Sequence, residues 1–293
     1  MVDWPAYEYL WLARARGLTQ QAGVDLQIQR YRNTQERRQA YQTGRADAIA
    51  IDSVDLLTLC AQTPVRCPTV VVMLDQSEGG DALLAPARIA NLEALSDRRV
   101  AVEPGPLGRY LVGRALEMQG LPPYRWPEFR VANFDQFPQL LRRGEVDAVA
   151  TYPPTTILLQ QQFTLRPLFT SAEIPGEIVD VLAIAPRWLE EHPEQVSALV
   201  RSWQAAVQLD RQEPASNGRM MAWQENISNI ETFRLSQRGI RIPNCIEQYP
   251  FLSDGHLQAA LERIRHTLAE QDLLPDNSPL PPIANYCNIP PEE

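Results

Sequence analysis

The segment Tyr41-Gln42-Thr43-Gly44-Arg45-Ala46-Asp47-Ala48-Ile49-Ala50 returns one hundred residues later as Leu141-Arg142-Arg143-Gly144-Glu145-Val146-Asp147-Ala148-Val149-Ala150, with glycine, aspartate and two alanines in register. Each copy reads as the end of a helix, a glycine stop and a short apolar strand. Polar or aromatic residues follow at the strand's carboxyl end, Asp52 and Ser53 in the first copy and Thr151 and Tyr152 in the second. Open α/β sheets bind ligands at such strand ends. Two related α/β lobes that face each other therefore make a cleft.

The alternation extends well beyond the echo. Periodicity predicts a helix over 8–16 stopped by Gly17, a period-two strand through Val24, Leu26 and Ile28, and a helix over 34–43 stopped by Gly44. Strands follow at 46–51, 69–74, 99–103, 128–131, 146–150 and 179–184. Helices lie between them, one capped by Asp52 or Ser53, one running to Gln119 and one over 135–143. The 69–74 run is continuous and apolar, as in a strand covered on both faces. This pattern argues for α/β units with largely parallel sheets. Later, Val196, Leu199, Val200, Trp203 and Val207 form one helical face, and Leu257, Leu261, Ile264 and Leu268 another, with Ser253 or Asp254 as cap. Trp188, Trp203 and Trp223 read as core, and the proline-rich tail from Leu274 as extended chain along the surface.

Composition removes several function classes. All 27 basic side chains are arginine, so a P-loop, a pyridoxal enzyme and a Schiff-base aldolase are excluded for want of a lysine. A net charge of −9 leaves no basic stripe for nucleic acid. Prolines number 25 and are scattered, which reads as ordered loops rather than a repeat. Neither a bilayer-length apolar run nor a signal-like segment after Met1 is present. Cys60, Cys67, Cys245 and Cys287 lack zinc-ligand spacing with the three histidines, so neither metal nor cofactor is expected. They are either four thiols or two local pairs, Cys60 with Cys67 and Cys245 with Cys287.

Five runs resemble one family in order and spacing: Trp4-Pro5-Ala6-Tyr7-Glu8-Tyr9-Leu10-Trp11-Leu12-Ala13, Asp75-Gln76-Ser77-Glu78-Gly79-Gly80-Asp81-Ala82, Arg99-Val100-Ala101-Val102-Glu103-Pro104-Gly105, Gly144-Glu145-Val146-Asp147-Ala148, and the stretch from Ser171 to Leu182. The family is the substrate-binding proteins of ABC importers in the nitrate, sulfonate, taurine and thiamine-precursor (SsuA/THI5-like) group. The resemblance implies a type II periplasmic-binding-protein fold, with residues 1–79 plus 180–293 as lobe one and 80–179 as lobe two. It implies hinges at 75–81 and 174–180, and a monomer that captures a small organic molecule for an ABC permease and ATPase. Members carry a first strand before the Trp-Pro turn, behind a signal or lipoprotein peptide. Only Met1-Val2-Asp3 precede Trp4 here. The expectation is a true start upstream and a periplasmic or membrane-anchored protein; as written, the chain would be cytoplasmic.

Candidate ligand contacts follow from both readings. The resemblance puts Trp4 and Tyr7 in a loop lining the cleft. Asp52, Ser53, Thr151 and Tyr152 stand at the two echo strand ends. Tyr152 occupies a place where the family often has tryptophan, and Pro153 one where it often has glutamate, so that acidic contact is missing. Gly105, Pro106 and Leu107 open a helix after a strand, a place that favours an anion, which Arg109 could pair with and Glu103 would oppose. Gln76 and Ser77 sit at one hinge and Asp180 at the other. The expectation is a receptor rather than an enzyme. The alternatives are a ligand-sensing module of a signalling system and a lyase on the same scaffold. The thiamine-pyrimidine synthases of similar fold need a lysine and a cysteine-rich motif that this chain lacks.

Overall fold

A computed structural model describes residues 1–287. Two mixed layers are built around nine strands: β1 (Ala48–Asp52), β2 (Thr69–Ser77), β3 (Ala82–Pro86), β4 (Arg99–Val102), β5 (Glu128–Val131), β6 (Ala148–Thr151), β7 (Leu165–Thr170), β8 (Val179–Ile184) and β9 (Ile240–Arg241). One sheet has the order β1-β8-β2-β9 and the other β5-β4-β6-β3-β7. The chain passes between them twice, from β2 to β3 and from β7 to β8. The echo segments supply β1 and β6, one to each sheet.

Local chemistry explains most element ends. Gly17, Gly44, Gly120 and Gly144 all follow helices with φ between 64° and 74°, a region a glycine enters without steric cost. Asp52 caps the helix Ser53–Gln62 by accepting from the Asp55 amide at 2.8 Å. β2 is buried along all nine residues, as its apolar run requires. In β4, Val100 and Val102 join the main core while Ala101 joins a smaller cluster with Phe137, Leu140 and Leu159, so both faces of that sheet are covered.

Four expectations need correction. The sheets are not largely parallel: every pairing in the β1-β8-β2-β9 sheet is antiparallel, because the returning β8 inserts between β1 and β2. In the other sheet β4 runs parallel to β5 and β6, while β3 opposes β6 and β7. Val24, Leu26 and Ile28 form no strand. They line a cavity of about 320 Å³ together with Ala48, Ile49 and Ala50 and pair with no strand. Trp223 is 75% exposed, since the helix Pro214–Gln224 turns Gly218, Met221 and Ala222 inward. The helix His256–Glu270 is entered through Gly255 at φ 83° instead of a Ser253 or Asp254 cap, because Ser253 ends the preceding helix Cys245–Ser253.

The cysteines resolve into the two local pairs, Cys60–Cys67 and Cys245–Cys287. The second ties the tail to the start of a helix, and Ile283 in that tail bridges to Val70 of β2. Residues 288–293 of the expected extended tail lie outside the described residues.

The crossovers are laced together. Ser77 Oγ and Ser171 Oγ are 2.7 Å apart, and the Gly79 amide donates to Ser171 Oγ at 2.7 Å. Gly239 presses on the first crossover so closely that an added Cβ would stand 2.5 Å from the Gly80 nitrogen. Backbone cannot yield as a side-chain tip does. Gly239→Ala should therefore lose about 2 kcal/mol or more in a denaturant titration. Opening Cys245–Cys287, which closes 42 residues of sequence, should cost about 4 kcal/mol on a chain-entropy basis, read as a lower melting temperature for Cys245→Ser.

Candidate functional site

In the first sheet, the register places Asp52 opposite Asp180 and Asp180 opposite Asp75. Residues directly opposite in antiparallel strands share a face, with Cβ atoms about 4.5–5.5 Å apart. Three carboxyl groups thus stand in one row across β1, β8 and β2, and all three are buried. Asp81, just before β3, and Glu103, just after β4, approach the same space from the second sheet, and they too are buried.

The partners of these groups are few. Trp4 Nε1 donates to Asp75 Oδ2 at 2.9 Å, and the Tyr7 hydroxyl donates to Asp180 Oδ1. Arg37, from the helix Thr34–Gln42, donates to Asp52 Oδ2 at 3.3 Å, to Asp55 Oδ2 at 2.8 Å, to the Ala50 carbonyl and to the Tyr7 hydroxyl. Arg38 is taken up by Asp55. The Tyr152 hydroxyl reaches Glu103 Oε2 at 3.4 Å. Asp75 Oδ1, Asp81 Oδ2, Glu103 Oε1 and Thr151 Oγ1 are buried with no hydrogen-bond partner.

Two small cavities lie here. One, of about 20 Å³, is lined from both sheets by Trp4, Tyr7, Arg37, Asp52, Asp180, Asp81, Leu107 and Tyr152 among others. The next, of about 10 Å³, shares Asp81, Leu107 and Tyr152 with it and adds Glu103, Thr151 and Phe134. Trp4 meets Tyr152 edge-on at 5.5 Å between ring centroids, and Phe134 meets Tyr152 likewise at 4.9 Å. Trp4 and Tyr152 line the first cavity, and Phe134 and Tyr152 the second.

Burial sets the titration, and neighbouring charges modify it. Burial pushes Asp81 up to about 7, with Asp52 adding to the effect and Ser77 opposing it. Burial pushes Glu103 up to about 8, against the pull of Arg37. Asp75 and Asp180 rise well above the usual carboxylate range through burial and the neighbouring aspartates. Asp52 is raised by burial, with Arg37 opposing.

Of the residues expected to touch ligand, Trp4, Tyr7, Asp52, Leu107, Tyr152 and Asp180 line the first cavity, and Leu107, Thr151 and Tyr152 the second. The others are placed differently. Ser53 donates to the Glu177 carbonyl, Gln76 accepts from Arg241, and Ser77 faces Ser171. Gly105 abuts Thr34, whose hydroxyl donates to the Pro104 carbonyl at 3.2 Å. Pro106 precedes the helix Leu107–Met118 without lining either cavity, and the Arg109 guanidinium lies 5.0 Å over the Phe129 ring. Arg37, Asp75, Asp81 and Glu103 were not foreseen as site residues. An arginine in a polar helix reads as solvated, and only the cross-strand register reveals that Asp75 joins Asp52 and Asp180.

A carboxyl that holds its proton more tightly when folded makes stability fall as pH rises from its unfolded to its folded value. For Asp81 and Glu103 that window runs from about pH 4 to about pH 8. The ligand-free protein should therefore melt progressively lower across this range, by up to about 1.4 kcal/mol per pH unit and per group. Asp81→Asn should flatten that slope in a pH series of thermal melts.

Comparison with known proteins places this geometry in a shared architecture. The chain superposes on the alkanesulfonate-binding protein SsuA from Xanthomonas axonopodis pv. citri, solved with MOPS, at a TM-score of 0.79 and 16% identity, covering 95% of this chain and 94% of that one. The periplasmic aliphatic sulphonate binding protein SsuA from Escherichia coli gives 0.77 and 14%, over 94% and 87%. A desulfurization enzyme, DSZB, solved as a point mutant in complex with biphenyl-2-sulfinic acid, gives 0.66 and 16%, over 94% and 92%. Among curated proteins none is recognisably similar in sequence. The fold is the two-lobed α/β fold of periplasmic binding proteins, with a hinge and a cleft. The NMT1/THI5-like family model matches residues 4–217 of the 293, and the chain belongs to that family.

Proposed function

We propose that this protein is a solute-binding receptor of an ABC importer, which captures a small organic molecule between its lobes and presents it to a permease and ATPase. Residues 1–79 plus 180–293 form one lobe in this reading and 80–179 the other. The observation that carries it is a cavity lined from both sheets, with Trp4 and Tyr7 on one side and Leu107 and Tyr152 on the other. A ligand there touches both lobes at once, so its binding favours the closed arrangement over an open one.

Residence outside the cytoplasm belongs to the same proposal and is supported by the two disulfides, which persist in oxidising compartments. Among the described residues no helix is long and apolar enough to cross a membrane. Burial and nearby carboxyl groups push Tyr7 and Tyr152 well above the usual phenol range, which makes both poor nucleophiles near neutrality.

A ligand of the native state should raise the melting temperature with concentration, by the equivalent of about 2.7 kcal/mol at one hundred times Kd. Small-angle scattering on the same titration should show a more compact molecule. Trp4→Ala and Tyr152→Ala should each weaken binding at least tenfold, measured by calorimetry. A broad library of small solutes that shifts neither the melt nor the scattering overturns the receptor reading.

A further inference from the structure

The geometry points to a small organic cation bearing several N–H donors, such as a protonated amine, an amidinium or a protonated amino-heterocycle, as the ligand of this cleft. The inference rests on the receptor reading and names the class of solute it takes. Four buried carboxyl groups line the two cavities, Asp52 and Asp180 from one sheet and Asp81 and Glu103 from the other, and Asp75 stands behind them in the cross-strand row. Against them stands Arg37, whose Nη1 and Nη2 donors are already divided among Asp52, Asp55, Tyr7 and the Ala50 carbonyl. Arg38 is held by Asp55. An entering anion would meet these carboxyl groups with Arg37 Nε as the one unpartnered guanidinium donor in the first cavity's lining.

The orphaned atoms strengthen the case independently of the charge count. Asp81 Oδ2, Glu103 Oε1 and Thr151 Oγ1 have no partner, although their residues are only 2–3% exposed and line the cavities. Buried acceptors without donors carry a free-energy cost that a multidentate N–H donor removes. Trp4, Tyr152 and Phe134 surround the same space with ring faces and edges that suit a cation on a flat or compact frame. Among the described residues no group of three or more histidine, cysteine, aspartate or glutamate side chains has a metal-holding arrangement, which favours an organic cation over a metal ion. Asp81, Leu107 and Tyr152 line both cavities, which therefore adjoin.

Such a ligand displaces protons. The charged and titratable groups around Asp81 and Glu103 are Asp52, Asp75, Asp180, Arg37, Arg38, Tyr7 and Tyr152. Burial pushes Asp81 up to about 7 and Glu103 up to about 8, so a cation that requires them ionised binds more weakly as pH falls below those values.

The test is thermal shift and calorimetry on the full chain with propylamine, acetamidine and aminopyridine, set against propanesulfonate, propionate, Ca²⁺ and Zn²⁺. We expect saturable binding of at least one N–H cation at pH 8, at least tenfold weaker at pH 5, with protons released on binding. The organic anions should leave the melt unchanged. Asp180→Asn and Asp81→Asn should lose at least tenfold in affinity while the ligand-free protein melts at the same temperature or higher, since each substitution relieves a buried cluster of like groups. Binding of the anions or metal ions with the N–H cations inert overturns the inference and leaves the receptor reading standing. Cation affinity kept by both aspartate variants also overturns the inference. No response to any compound overturns both.

Discussion

Like groups placed directly across neighbouring strands repel when ionised, and β1, β8 and β2 bring three aspartates into one such row. Everything around the cleft answers to that arrangement. Arg37 is drawn down from its helix to the first of the three, Tyr7 donates to the second and Trp4 to the third. The N-terminal loop is thereby held against the strand ends by polar contacts as well as packing. The remaining oxygens keep protons or wait for donors. A row of this kind lowers stability in the absence of ligand, which is the usual mark of a site rather than a scaffold.

The fold was legible in sequence where a local rule acts alone. Glycine in the left-handed region ends helices whatever surrounds it, so Gly17, Gly44, Gly120 and Gly144 marked their helix ends correctly. The echo located β1 and β6 and with them Asp52, Thr151 and Tyr152. Strand direction was not legible, because an antiparallel β8 between β1 and β2 is a long-range choice that no local pattern encodes. The alternation at Val24, Leu26 and Ile28 correctly marked an apolar face, yet a strand also needs a neighbour to bond, and here no strand pairs with it.

The site was legible in a similar, partial way. Its aromatic rings and two strand ends were readable as candidates, whereas the convergence of its acidic groups was not. A helix start at Gly105 to Leu107 suggested an anion, but Glu103 lies buried beneath it and Arg109 turns away to Phe129. Pro153 marked the loss of one acidic contact, with Asp52 and Asp180 already candidates, and Asp75, Asp81 and Glu103 gather beside them. Asp75, Asp81 and Glu103 each had an ordinary reading as a loop or strand-end residue. Only their convergence in space separates them from the other acidic side chains.

The laced crossovers between the sheets carry a mechanical meaning. Two short ribbons joined side by side through Ser77, Ser171 and the Gly79 amide behave as a paired leaf spring. Such a spring flexes about the line through its two leaves and resists sliding or twisting. In the proposed two-lobe reading, travel of one lobe against the other would reduce to one angle, with the separation of the Trp4 and Tyr152 rings as its natural gauge.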